Sequence, residues 1–238
     1  MLTLLTATGC RPEAWALCER WMARQTYAGP VRWIIVDDGR DAQPVTFQRL
    51  GWTLEIVRPS PFWRLGDNTQ ARNLLAGLRR VEDTARLVVI EDDDWYAPDW
   101  LQTIADALEG QEMAGESRAR YYNVEARVGR EMPNERHASL CATAVTGRGI
   151  AELRAQCVRA VKFIDLDLWR RPLKKRLIGG HRVVGIKGLP GRGGIGCGHR
   201  SDFKGIADPD GRLLRDWVGT DDAAVYDRAL ERMKGVTA

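Results

Sequence analysis

Hydrophobic and polar positions along this chain switch between two periods. Leu2 to Thr8 is a continuous apolar and β-branched run that ends at Gly9, the pattern of a buried strand. Pro12 then stands where a helix starts, and Ala14, Leu17, Cys18, Trp21 and Met22 recur at helical spacing as far as Gln25. Gly29-Pro30 breaks the chain. Trp33 to Val36 reads as a second strand, followed by Asp37-Asp38-Gly39, and Leu54 to Val57 as a third. Ala71, Leu74, Leu75, Leu78 and Val81 form the apolar face of a second helix, and Leu87 to Ile90 is a fourth buried strand. Pro98 opens an amphipathic segment with Trp100, Leu101, Ile104 and Leu108 on one face. Further on, residues 120–127, 139–146 and 183–187 read as strands. Gly147-Arg148-Gly149 precedes a short helix over 150–157, and Asp221-Asp222 begins a terminal helix with Val225, Ala229 and Met233 inward.

This alternation predicts a doubly wound α/β fold, whose ligands bind at the carboxyl ends of the strands. Two of those ends are acidic: Asp37-Asp38, and the run Glu91-Asp92-Asp93-Asp94. Four successive carboxylates at the end of a buried strand repel one another, an arrangement a divalent cation would neutralise. A solvated acidic turn is the alternative reading.

Composition narrows the class. The 238 residues suffice for one large domain or two small ones, and 44% hydrophobic with 29% charged residues is ordinary for a soluble globular protein. The five cysteines form no C-x-x-C pair, which argues for free thiols in a reducing cytoplasm and against a disulfide framework or zinc site. The first residues enter a strand without a basic n-region and long apolar h-region, and no run approaches the roughly 18 apolar residues of a membrane span. A cytoplasmic protein is therefore expected.

The net charge of +4 is unevenly placed. From Arg170 to Lys204 a dense series of arginines and lysines faces Asp202 as its one acid, which suits a polyanionic partner or, more simply, a solvated face with phosphate contacts. Within it, Gly191 to Gly196 satisfies G-x-G-x-x-G, but residues 197–202 do not read as the helix a dinucleotide fold requires. A flexible glycine-rich loop carrying Arg192, His199 and Arg200 is expected instead.

Four motifs in order carry a family resemblance. Thr6 through Asp38, with Arg11-Pro12-Glu13 starting the helix and Val36-Asp37-Asp38-Gly39 closing the second strand, resembles the opening of family 2 glycosyltransferases with the GT-A fold. The stretch Gly66 to Asn73 resembles that family's Ala-Arg-Asn helix start, and Ile90 to Asp99 its metal-binding acidic motif. Lys162 to Trp169 is similar to its general-base motif, with Ile164 where Glu is usual, so that the assignment falls on Asp165; a helix N-cap is the other reading of Asp165 and Asp167. Gly9-Cys10 stands where an aromatic residue and Asn are common, and Glu91 where Asp is usual.

The resemblance implies one α/β GT-A domain over 1–238, a mixed sheet flanked by helices. Residues 1–110 would form the half that binds the nucleotide-sugar donor, and 111–238 the acceptor half. It places Thr8, Asp38, Arg72 and Asp92 on the nucleotide. Asp93, with Glu91 and His199, would hold Mn²⁺ or Mg²⁺ on the diphosphate, and Asp165 would be the general base of an inverting transfer. Asp38 accepts a hydrogen bond from the ring N–H of uracil, thymine or guanine, which cytosine lacks, and a UDP-sugar is favoured. The basic C-terminal half points to DNA carrying a hydroxymethylated base as acceptor, as in phage base-modifying glycosyltransferases, in which case the site of action is the host cytoplasm. A surface glycan or lipid-linked acceptor is the alternative. From other classes, a metal-dependent nuclease or phosphoryltransferase would also want clustered carboxylates and a basic groove, but leaves Asp37-Asp38 and Ala71-Arg72-Asn73 unexplained. A non-catalytic nucleotide-sugar or nucleic-acid binder has no use for Asp93 and Asp165.

Overall fold

The computed structural model describes residues 1–160, 162–189, 191–194, 196–200 and 202–236. The chain runs β1 (Leu2–Thr8), α1 (Pro12–Ala23), β2 (Val31–Asp37), β3 (Trp52–Val57), α2 (Gln70–Leu78), β4 (Leu87–Val89), β5 (Trp95–Tyr96) and α3 (Trp100–Leu108). It continues through β6 (Met113–Glu116), β7 (Arg120–Asn123), β8 (Val128–Glu131), β9 (Thr143–Val145), α4 (Arg148–Val158) and α5 (Ile164–Trp169). The last elements are β10 (Lys175–Ile178), β11 (Val183–Lys187), β12 (Ile206–Ala207), α6 (Arg212–Val218) and α7 (Thr220–Val236).

The larger sheet has seven strands in the order β10-β6-β9-β4-β1-β2-β3. Strands β1 to β4 pair in parallel, and β9 runs antiparallel between β4 and β6. This is the expected α/β architecture, a mixed sheet with helices on both faces. The period-2 pattern divides the core between those faces. Leu2, Leu4, Trp33 and Ile35 join a tryptophan-rich cluster with Trp15, Trp21 and Trp100. Leu5, Ile34 and Val36 face the other way, onto Leu74, Leu78, Leu153 and Leu168. Gly77 lets α2 lie directly on the sheet, because a Cβ there would sit 2.2 Å from Leu5 Cδ1.

A second, five-stranded sheet, β12-β8-β7-β11-β5, shares the tryptophan-rich core through Tyr122, Val184 and Ile186. Here the sequence reading needs correction. The strand expected over 120–127 stops at Asn123, whose side-chain Oδ1 accepts from Glu125 N and Ala126 N and turns the chain into the β7–β8 hairpin. The strand expected over 139–146 is a 3₁₀ turn at Leu140–Ala142 followed by β9. Strands β6 and β10 and helix α6 carried no recognisable periodic signal, being four to seven residues long. Val225 and Ala229 are buried, as expected of α7. Cys10, Cys18, Cys141 and Cys157 are free thiols, and no described helix is long and apolar enough to cross a membrane.

Asp208 ties the C-terminal helices to the second sheet. Its carboxylate accepts from Leu213 N at 2.9 Å, Leu214 N at 3.1 Å and the Tyr122 hydroxyl at 2.8 Å. Burial raises the carboxyl's pKa, but these bonds outweigh burial and hold it below the usual range. A depressed folded pKa means stability that is complete above the unfolded value of about 3.9 and lost as pH falls through the folded value. Asp208→Ala is expected to cost about 1–3 kcal/mol near neutrality, with the deficit shrinking in acid. Urea unfolding at neutral and acidic pH measures it; an undiminished deficit in acid would contradict the assignment.

Candidate active site

The carboxyl ends of β1, β2 and β4 lie side by side because these strands are register neighbours. A cavity of about 490 Å³ opens there. Thr8, Glu91, Asp92, Asp93, His199 and Asp165 all line it, so six of the eight residues expected at the site face one space.

Asp38 and Arg72 do not line this cavity. Asp38 is fully buried, accepting from Thr69 Oγ1 and Asn73 Nδ2 at 2.6 Å each, from Arg72 at 3.0 Å, and from both terminal nitrogens of Arg192. Burial pushes its pKa up, and the bonds from Arg192, Thr69 and Asn73 more than reverse that, so the carboxylate is ionised. Its neighbour Asp37 is structural, accepting from Gly39 N, Gln43 N and Arg58 and so fixing the turn after β2.

The acidic turn is buried, and two cations of the chain itself sit in it. Arg11 forks onto Asp92 Oδ1 at 2.7 Å and Asp93 Oδ2 at 2.8 Å. Lys187, at the end of the fully buried β11, brings its ammonium 2.8 Å from Asp94, 3.8 Å from Glu91 and 3.8 Å from Asp93. Thr8 Oγ1 donates to Asp92 at 2.7 Å. Burial is the largest influence on every carboxyl in the turn. It leaves Glu91 well above its ordinary value, with Asp94 adding to the rise. Asp92 is also raised despite Arg11, and Asp94 is pushed up to about 6. For Asp93 alone, Lys187 and Arg11 overcome burial and hold the carboxyl far below its ordinary value. Lys187 is raised well above its usual range, since Asp93, Asp94 and Glu91 outweigh its burial.

With all four carboxylates ionised, Arg11 and Lys187 balance half of the charge, and a divalent cation would balance the rest. Asp93 and His199 fit such an ion: Asp93 Oδ2 and His199 Nε2 stand 3.9 Å apart. Two ligands at roughly 2.1 Å from one ion are separated by up to about 4.2 Å. Burial and Lys187 lower His199 to about 4, so its imidazole is neutral, as a metal ligand must be. Glu91 is placed differently. Among the described residues its close ligand-type neighbours are Asp94 and Cys141, within 4.8 Å, and this group already surrounds the Lys187 ammonium. Burial keeps the Cys141 thiol far above the thiolate range.

From the second half of the chain, α5 brings Asp165 to the cavity wall. Asp165 lies one residue inside the first turn, with Oδ1 accepting from Leu166 N at 2.9 Å, and it is not the N-cap, which is Phe163. Asp167 turns outward to Arg170. Burial raises the Asp165 pKa, partly offset by Leu166 N and His137.

The basic series disperses in three dimensions. Arg170, Arg171, Arg182, Lys187, Arg192 and Arg200 pair with Asp167, Glu152, Asp99, Asp94, Asp38 and Asp202. Five of these six acids lie outside the 170–204 stretch, which is why the sequence alone showed an unbalanced run. The functional residues it missed are Lys187, counted there as a surface base, and Arg11. A lysine closing an apolar strand was the available signal, because a charge at such a position requires a partner.

No family model matches the chain, and no curated protein matches it. Among solved structures, S. aureus TarS is similar with a TM-score of 0.48 and 11% identity, over 75% of this chain and 37% of that one. TarS 1–349 in complex with UDP gives 0.46 and 11%, over 76% and 62%. The UDP-GlcNAc complex of the same segment gives 0.44 and 9%, over 75% and 59%. The chain thus spans less than two thirds of the length of each of these structures, and the site is read from its own geometry.

Removing Lys187 would leave buried carboxylates uncompensated. Lys187→Met is expected to destabilise the fold by about 3–5 kcal/mol at neutral pH. Acids whose folded pKa is raised bind protons more readily folded than unfolded, so their contribution is lost as pH rises. The variant's deficit should therefore be larger at pH 8 than at pH 5. Thermal denaturation at the two values checks this, and equal deficits would speak against the charge cluster as the cause.

Proposed function

We propose that the chain is a nucleotide-sugar glycosyltransferase. The observation that carries this reading is the meeting, in one cavity, of the Glu91–Asp94 turn at the end of β4 with Asp165 from α5. A nucleotide grip, a charge sink and a base are the three requirements of sugar transfer from a diphosphate, and the cavity supplies each. Thr8 and Asp92 would meet the ribose, and Asp38, once clear of Arg192, would accept from a base with a ring N–H, which favours UDP over CDP donors.

In the reaction, Asp165 takes the proton of the acceptor hydroxyl as that oxygen bonds to the anomeric carbon. The bond from that carbon to the diphosphate oxygen breaks on the opposite face, inverting the centre. Burial suits Asp165 to the role by raising its proton affinity. Arg11 and Lys187 face the negative charge that develops on the leaving diphosphate. A divalent cation, which Asp93 and His199 would hold, supplies Lewis-acid stabilisation of that leaving group. The pairing of six bases with acids of the same chain weakens the polyanion argument for a DNA acceptor and leaves it resting on Lys174, Lys175, Arg176 and Lys204. The acceptor is accordingly proposed at the level of a hydroxyl compound entering beside Asp165.

A panel of nucleoside diphosphates tested by thermal shift, with Mn²⁺ or with EDTA, is the direct test, because a ligand of the native state must stabilise it. UDP is expected to raise the melting temperature with Mn²⁺ and little in EDTA, and Asp93→Asn to abolish that difference. Equal stabilisation in EDTA would remove the metal from the reading. Asp165→Asn is expected to keep donor affinity while slowing transfer roughly 10²–10⁴-fold. A silent Asp165→Asn would move the base elsewhere.

A further inference from the structure

Asp38 is absent from the cavity wall because Arg192 lies over it. The Arg192 guanidinium meets both oxygens of Asp38, donates to Thr69 Oγ1 at 2.7 Å and to the Gly9 carbonyl at 3.0 Å, and lies 4.8 Å from the centre of the Trp63 ring. Trp63 is fixed beside Asp38: its backbone N–H donates to the Asp38 carbonyl at 2.8 Å and its indole N–H to the Asp67 carbonyl at 3.1 Å. Gly9 keeps this corner open, since a Cβ there would lie 2.4 Å from Asp38 Oδ1. The corner therefore consists of an aromatic face, a carboxylate edge and a glycine floor, at the carboxyl ends of β1 and β2.

A guanidinium is planar, presents N–H donors along its edge and stacks on an aromatic face. An imide nucleobase has the same three properties. Arg192 is held between Gly191 and Gly193, in a stretch where crowding does require Gly194, whose Cβ would lie 2.3 Å from His199 Nε2. A Cβ at Gly191 or Gly193 would meet nothing within 4 Å. Glycine on each side of Arg192 gives that backbone access to φ/ψ regions closed to other residues.

We propose that Trp63 and Asp38 form the nucleobase subsite and that Arg192 occupies it in the free protein as an internal surrogate for the base. Nucleotide binding displaces Arg192, and the base then stacks on Trp63 with its ring N–H on Asp38. The proposal rests on the nucleotide-sugar reading above. Its energetic consequence is a reduced apparent affinity in the wild type, because the binding-competent state is a fraction of the population.

The test is UDP titration by calorimetry, in Mn²⁺, of the wild type, Arg192→Ala, Arg192→Lys and Trp63→Ala, each first shown by melting to be folded. Arg192→Ala is expected to bind UDP about tenfold more tightly than the wild type, and Arg192→Lys to fall between the two. Trp63→Ala is expected to bind roughly 5–100-fold more weakly, the loss of one base–aromatic stack. UDP binding that Arg192→Ala leaves equal or weakens overturns the surrogate, and unchanged affinity in Trp63→Ala overturns the stacking subsite. In both cases the nucleotide reading stands. If neither the wild type nor Arg192→Ala binds UDP or GDP, that reading falls and this proposal with it.

Discussion

Four consecutive carboxylates at the end of one buried strand cannot be held together without counter-charge, and much of the molecule is arranged around supplying it. Arg11 comes from the turn that opens α1, and Lys187 from the last position of β11, nearly a hundred residues after the acidic turn. Each cation arrives on a different element, so the cluster forms when both sheets are in place. Asp94 makes the dependence plain. One of its oxygens accepts from Ile186 N and the Lys187 ammonium, while the other has no hydrogen-bond partner among the described residues. A low-dielectric site magnifies both the attraction and the cost of any missing partner.

That constraint also divides the carboxylates by role. Asp93, between two cations and a neutral histidine, is the one held firmly ionised, and it faces the cavity. Glu91 and Asp94, packed about Lys187 and Cys141, have raised proton affinities and serve the internal charge balance. Four adjacent acids with similar sequence credentials thus end in unlike environments. What differs among them is which oxygen meets which cation.

The second half of the chain closes the site over the first. Asp165, Lys187, Arg192 and His199 all reach the cavity opened by β1 and β4. Arg192 and His199 sit on the glycine-rich segment, one over the base corner and the other beside Asp93. One glycine-rich segment therefore carries side chains to both the Asp38 corner and the Asp93 carboxylate.

By itself the sequence determined the β1–β4 core, the helices between those strands, and the acidic strand ends. Each rests on local information: period-2 and period-3.6 hydrophobicity, and punctuation by Gly29-Pro30 and Pro98. Helical spacing also puts Asp165 and Asp167 on different faces, but which of the two lines the cavity was decided by the fold. Tertiary structure decided the rest. In the second sheet β11 was read at its observed bounds and β7 from its observed start, but β5, β8 and β12 are two to four residues long, too short to show a period, and Asn123 ended β7 through a side-chain turn. Partners for Arg11, Lys187 and Arg192 lie 81 to 154 positions away, so no window along the chain contains both charges. Pairing of that kind is a property of the folded arrangement, because Coulomb attraction and desolvation act through space, whereas hydrophobic periodicity acts along the backbone.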